Sequence, residues 1–391
     1  MKSSQINKSK WVCSITHEYF PRDRRILRQA QALIERGYKV DILCIRNFSD
    51  HEKKEDRYGP IRIYRIPLSK KRGSKLRYYF EFLSAFILFS IKLNLLYFKK
   101  RYNVIQINNI PNGYVFIAVI PKLFGAKVFL DMHELMPELF LHRHNISTAS
   151  LYYKILLLEE KLSVWFSDQV ITVTEAISEV IKKRHKIESV TVVMNTADPF
   201  TVAERDEKIR DGLEAVFHGV LTNTYRMNVV IDAMEKLRDV LPVKFHIYGD
   251  GKTYSGLEAY IKSKNLVESV FLKGYLVEYK IAEMAHEFDL AIVPLDNNIY
   301  SQYAFASKIS QYISMRIPIL CSDVKCMRSY YDDDAILYFD LNDTDDLVEK
   351  IKYFNQHKAE LGKTLVENAC RQNEMITWNV MKEKYLSIFN L

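Results

Sequence analysis

The sequence predicts two α/β units, each built on a mostly parallel sheet, and three observations lead to that architecture. The chain has 391 residues, more than one hydrophobic core usually serves. About a dozen apolar runs of strand length punctuate it, many continuous rather than alternating, as expected where a parallel sheet is covered on both faces. Helical apolar stripes lie between most of these runs, the alternation that builds βαβ units.

The strand candidates of the first half are residues 12–16, 40–45, 104–108, 128–130, 170–173 and 190–194. Those of the second half are 215–218, 244–248, 270–272, 290–294, 317–321 and 336–339. Residues 24–36 place Ile26, Leu27, Ala30, Leu33 and Ile34 on one stripe, with Asp23 as N-cap and Gly37 as the C-terminal cap. Arg24 and Arg25 then cover a solvated face. The turn N-T-A-D-P-F at 195–200 leads into a charged, strand-free connector, so the boundary between the units falls near 195–205.

Residues 69–101 stand apart, because a basic stretch precedes an apolar and aromatic one that K-K-R closes. Glu81 and Lys92 interrupt the apolar part, leaving it short of the roughly 20 residues of a membrane span. The segment reads as a helix that packs partly on the first sheet and presents aromatics, Lys and Arg to an anionic membrane surface. A buried crossover helix with solvated basic ends is the alternative. A transmembrane helix is disfavoured because the chain must return to the strand at 104–108.

The block at 289–323 reads as buried strand, polar loop, short helix at 307–314 and second buried strand. Ser307 is the expected N-cap, which puts Lys308 in the first turn, where unpaired N–H groups and the helix dipole favour an anion. Gln311 follows on the same face. A surface lysine and a solvated glutamine on an ordinary crossover is the competing reading. Three glycine turns, at Gly219 and Val220, at Gly249 and at Gly274 and Tyr275, follow successive strands of one sheet and put permissive backbone at its carboxyl edge. In the first half His133 and Glu134 follow a strand end, where an imidazole can donate to an oxyanion or a sugar hydroxyl, or cap the next helix.

Composition excludes several classes. The polar, basic opening M-K-S-S-Q-I-N-K-S-K leads to the expectation of no signal peptide, and five scattered cysteines fit a reducing compartment. Aspartates at 332–334 and 343–345 match D-x-D by chance among 48 acidic residues, and neither follows a well-placed strand end. H-E-Y-F and H-E-L-M lack the second histidine of a zinc helix, and no G-x-x-x-x-G-K-[ST] or G-x-S-x-G occurs. The net charge of +8 implies an anionic partner or surface. Its clustering around one apolar helix argues against nucleic acid.

Taken in order, these stretches resemble the retaining glycosyltransferases of the GT-B fold, family 4, over nearly the whole chain. The matching features are D-x-R-I at 23–26 running to Gly37, D-x-H-E-x-x-P-E at 131–138, the turn at Asn195, and H-G-x-L at 218–221. G-D-G at 249–251, K-G at Gly274 and the block from Pro294 through Ile319 complete them. The resemblance implies two Rossmann-like domains facing across a cleft, residues 1–195 for the acceptor and 196–372 for a nucleotide-sugar donor. Residues 373–391 form a C-terminal helix crossing back to the first domain.

By the same resemblance, Lys308 and the Gly219–Val220 backbone contact the donor diphosphate and Gln311 the ribose, with Ser307 and Gly249 in the same seat. Gly274 and Tyr275 lie by the base, His133 lies near the transferred sugar, and His17, Arg24 and Glu134 lie on the acceptor side. No metal or other cofactor is implied. Gln311 stands where the family has Glu, Tyr303 where it often has a second Glu, and Arg316 where it has a capping Gly; Arg226 is the only cation near the first glycine turn. The implied activity is transfer of a sugar from UDP- or GDP-sugar to a cell-envelope saccharide or lipid-linked acceptor, with retention. Such an enzyme would work in the cytoplasm, peripherally on the inner face of the membrane. A non-catalytic subunit partnering an active transferase and a nucleotide-sugar epimerase of the same fold remain as alternatives.

Overall fold

The computed structural model describes residues 10–70, 75–109, 111–144, 146–197, 212–299 and 301–390. The chain forms two compact units, Met1–Met194 with Met381–Leu391, and Asn195–Val380. The basic run at 71–74 and most of the charged connector, at 198–211, lie outside the described residues.

The first unit runs β1 (Trp11–Thr16), α1 (Arg24–Glu35), β2 (Lys39–Ile45), β3 (Glu55–Tyr58), β4 (Ile61–Ile66), α2 (Lys75–Lys100) and β5 (Val104–Asn108). A 3-10 stretch, Asn112–Ala118, leads into α3 (Val119–Leu123), then β6 (Lys127–Met132), α4 (Met136–His144), α5 (Leu151–Phe166), β7 (Gln169–Thr172), α6 (Glu175–His185) and β8 (Thr191–Val192). The sheet order is β3-β4-β2-β1-β5-β6-β7-β8, parallel except for the β3–β4 hairpin. Order is built outward from β1 in both directions, so a switch point lies between β1 and β5.

Local chemistry explains α1. The Asp23 carboxylate accepts from the N–H groups of Arg25 and Ile26 at 3.0 and 3.2 Å, and Ile26, Ala30 and Leu33 are buried beneath it. Gly37 follows at φ +84°, which a side chain would resist. Arg25 overturns the expectation of a solvated face. It turns inward and is 6% exposed, while Arg24 stays outside. The edge strand β3 escapes the hydrophobic pattern because E-D-R-Y is wholly exposed and mostly charged, a common character for an edge strand, whereas β4, I-R-I-Y-R-I, is buried between β3 and β2.

The second unit runs β9 (Leu213–His218), α7 (Met227–Leu237), β10 (Val243–Tyr248), α8 (Tyr254–Ser263), β11 (Val270–Gly274), α9 (Glu278–Glu283) and β12 (Leu290–Val293). It continues through α10 (Ser307–Ser314), β13 (Ile319–Ser322), α11 (Lys325–Arg328), β14 (Leu337–Phe339), α12 (Thr344–Gln356), α13 (Lys358–Asn373) and α14 (Trp378–Ser387). Its six strands, all parallel, are ordered β11-β10-β9-β12-β13-β14, with the switch point between β9 and β12. Phe217, Phe245, Ile292, Leu320 and Phe354 are among the side chains of its core.

Where residue 373 was expected to begin the return to the first unit, the return starts at Met381, inside α14. Met381 Sδ accepts from the Met194 N–H at 3.1 Å, Tyr385 Oη donates to Gln106 Oε1 at 2.7 Å, and the Phe389 ring packs on Phe129 and Tyr38.

Candidate active site

In the second unit the carboxyl ends of β9 and β12 bound the switch-point crevice, the usual ligand position in an open α/β sheet. The loops there are tied to one another. The Gly219 N–H donates to Tyr248 O at 2.9 Å and that of Leu221 to Asp250 O at 2.9 Å, which zips the β9 loop onto the β10 loop. A Cβ on Gly249 would stand 2.2 Å from Gly219 O, so the close approach of the two loops requires glycine there. Gly219, at φ +133°, is required for a second reason: a Cβ there would sit 3.1 Å from Lys308 Cε and Nζ. The exit loop of β12 is tied in as well, through Asp296 N–H to Thr224 O at 2.8 Å and a Tyr225–Leu295 bridge.

These ties hold Tyr225 over Lys308. Lys308 is 8% exposed; its ammonium donates to Tyr225 Oη and lies 3.7 Å from the Tyr225 ring centroid and 5.1 Å from that of Phe217. Among the described residues no carboxylate pairs with it. Burying a cation with only a phenol and two ring faces for company is costly unless an anion joins it. A pocket of about 250 Å³ opens beside the ammonium, lined by Val220, Thr222, Tyr225, Ser301, Phe305 and others. Ser307 is not the cap of α10: it already has helical backbone, and Ala306 occupies the cap position with no side-chain acceptor. The start of α10 therefore has no side-chain cap, and its dipole end favours an anion.

Gln311 Oε1 lies 2.9 Å from His218 Nε2. Burial, reinforced by the charge of Lys308, lowers the His218 pKa to about 4, so the imidazole is neutral and donates from Nε2 to Gln311. With its oxygen engaged, Gln311 offers a ligand its amide hydrogens. The buried Nδ1 of His218 has no hydrogen-bond partner among the described residues. Arg226 resolves an ambiguity of the sequence, since it pairs with Asp296 at 3.4 Å and stands at the cap of α7. Gly274 and Tyr275 lie at the end of β11, two strands from Gly219, with open space around Gly274 and Tyr275 72% exposed.

In the first unit, His133 and Glu134 share a turn after β6 that Asn109 clips. Its Oδ1 accepts from the His133 N–H at 2.8 Å and its Nδ2 donates to Glu134 O at 3.1 Å. His133 Nε2 lies 3.5 Å from Asp131 Oδ2, without a hydrogen bond. Burial alone would raise the Asp131 carboxyl, but Arg25, at 2.5 Å, and His133 outweigh it and hold the group well below the carboxylate range. His17, expected on the acceptor side, is 6% exposed and bonded to Tyr114 Oη at 3.0 Å and Glu81 Oε1 at 3.1 Å. It buttresses α2, with both ring nitrogens engaged; burial lowers its pKa.

The second unit thus gathers Gly219, Val220, Lys308 and Gln311 at one place, with Gly249 as support. Tyr225 and His218 belong to it too, and neither was anticipated as a site residue. His218 was visible within the H-G-x-L motif, whereas nothing in T-N-T-Y-R-M singles out the tyrosine. No group of three or more His, Cys, Asp or Glu able to hold a metal occurs among the described residues. The aspartates at 332–334 and 343–345 have other work, Asp333 pairing with Arg328 and Asp343 capping α12.

Comparison with known proteins agrees with this geometry. The family model for glycosyl transferases group 1 matches residues 202–372 and that for glycosyltransferase family 4 matches residues 23–199. A poly(ribitol-phosphate) alpha-N-acetylglucosaminyltransferase of Staphylococcus aureus (strain COL) is 30% identical over 175 residues, 43% of this chain and 33% of the relative. The chain therefore spans about a third of that relative's length. Among solved structures, sucrose-phosphate synthase from Thermosynechococcus elongatus superposes with a TM-score of 0.77 at 13% identity, covering 97% of this chain and 98% of its own. HepE from Anabaena, in complex with UDP, gives 0.69 at 11% identity over 97% and 99%. From the two family models and the shared fold, the chain belongs to the family 4-like glycosyltransferases with the GT-B fold.

Proposed function

We propose that this chain transfers a sugar from a UDP- or GDP-sugar to a cell-envelope saccharide or lipid-linked acceptor, with retention of configuration. The single observation that supports it most is the Lys308 ammonium, buried at the switch point of the second sheet with no carboxylate partner among the described residues. A nucleoside diphosphate supplies the missing anion. Lys308, the uncapped start of α10 and the Gly219–Val220 backbone meet its charge, so the reading calls for no metal. Gln311 donates to a ribose oxygen, and Gly274 with Tyr275 flank the base. This reading assigns His133, whose backbone N–H Asn109 holds, to the transferred sugar. The departing diphosphate takes the acceptor proton on the face it leaves, which yields retention. A cell-envelope acceptor is in keeping with the name of the S. aureus relative, and the enzyme works on the cytoplasmic side of the membrane as a peripheral protein.

The amide at Gln311, where the family has Glu, favours a second reading, a non-catalytic subunit partnering an active transferase. Thermal-shift screening against a nucleotide-sugar panel separates the two. The transferase reading expects UDP or GDP and one sugar conjugate to raise the melting temperature by mass action. No response to any nucleotide, in the wild type or in Gln311→Glu, would leave the subunit reading standing.

A further inference from the structure

The first unit carries an apolar surface that its core does not use. α2 turns Ala85, Phe89, Leu93 and Leu96 inward, all buried, and Glu81, Lys92 and Lys100 fix that side through His17, Glu55 and Asp41. The opposite side is a row of Leu83, Ile87, Ile91 and Leu95, all exposed. α5 repeats the pattern with Leu151, Ile155, Leu158, Leu162 and Trp165, spaced at alternate fours and threes so that they share one face. Trp165 is 79% exposed. Between the two helices, α3 and its following residue turn Leu123 and Phe124 outward.

Ring contacts tie these elements together. The exposed Phe98 ring packs on that of Phe124 at 5.6 Å, and Phe166, next to Trp165, packs on Phe116 at 5.1 Å. An apolar area of this extent on one unit marks an interaction surface. Its charges select the occupant. Among the described side chains of α2, α3, α5 and the adjoining Arg101, the exposed ionisable ones are Arg77, Lys99, Arg101, Lys154 and Lys161, all cationic. The acids of these helices are turned inward, Glu81 to His17 and Glu160 to Arg184 and His185, and Glu159 accepts from the Gly113 N–H.

A second copy of the chain would set these cations against one another, whereas an anionic bilayer meets both the apolar rows and the cationic rim. The stretch Phe80–Lys100 is by length and composition apolar enough to cross a membrane. Its ion pairs to the sheet instead hold it lengthwise along the first unit. We infer that α2, α3 and α5 form one docking face that lies in the plane of an anionic membrane surface, with Trp165 and Leu123 reaching toward the acyl boundary. This deepens the membrane reading above and rests on the first unit alone.

Sedimentation of the full chain with phosphatidylcholine vesicles, with and without phosphatidylglycerol, tests it. The expected result is binding that requires the anionic lipid and weakens with salt, and a blue shift of Trp165 emission that is absent from Trp165→Phe. Lys154→Glu with Lys161→Glu should lower the partition coefficient roughly tenfold or more, and Leu158→Glu should do likewise, with an unchanged cooperative thermal transition as proof of folding. Vesicle binding equal in wild type and α5 variants would overturn the inference. So would indifference of the wild type to both vesicles, or a self-association that the same variants abolish while vesicles are ignored. Vesicle binding without any nucleotide response would instead count against the donor reading and leave this one intact.

Discussion

The Gln311–His218 contact is the residue-scale feature on which the chemistry of the site turns. A glutamate at 311 would set a carboxylate 2.9 Å from His218 Nε2 and favour the imidazolium that burial and Lys308 now suppress. Gln311→Glu should therefore move the His218 pKa upward from about 4, read from the imidazole proton shifts across a pH series. An unmoved titration would mean that the two side chains do not meet in solution. The same contact explains why the sequence was a partial guide here. Spacing located Lys308, Gly219 and Gln311 at one sheet edge, since those positions follow from strand ends and helix starts. It was silent on Tyr225, whose place depends on backbone ties between two loops remote in sequence.

At the scale of elements, the end of α10 shows backbone geometry persisting without its usual residue. Arg316 adopts φ +55°, its N–H bonding Ile313 O and that of Ile317 bonding Tyr312 O, both at 3.0 Å, which is a Schellman closure. A side chain at this position costs about 1 kcal/mol relative to glycine. Arg316→Gly should accordingly raise stability by roughly that amount in a urea titration, with an unchanged m-value. Buried strands such as β1, β5 and β9 were legible because continuous apolar runs bounded by turns have few other readings. β3 was not, because an exposed, charged edge strand carries no hydrophobic signal. Ser307 misled for a related reason: a good capping residue one position too late becomes the first residue of the helix, and Ala306 takes the cap.

For the whole molecule, the buried ionisable groups set the response to acid. The folded-state pKa of His218 lies below its unfolded value, so its contribution is complete above about 6.5 and is lost as the pH falls toward 4. The shift corresponds to up to roughly 3 kcal/mol, and His17 acts in the same direction. Asp131, held low by Arg25 and His133, resists until more acidic conditions, where its protonation removes a further contribution. Melting temperature should thus fall between pH 6.5 and 4, and His218→Asn should flatten that fall. An unchanged slope in the variant would remove His218 from this role.

The central claim is that the buried ammonium of Lys308 is the seat of a nucleoside diphosphate, and calorimetric titration of the full chain with UDP and GDP tests it most directly. Wild type should bind one of them. Lys308→Met, which keeps the stem and removes the charge, should remain folded and bind at least roughly thirtyfold more weakly, the loss of about 2 kcal/mol expected for a buried charged hydrogen bond. Equal affinity in the two proteins would contradict the account.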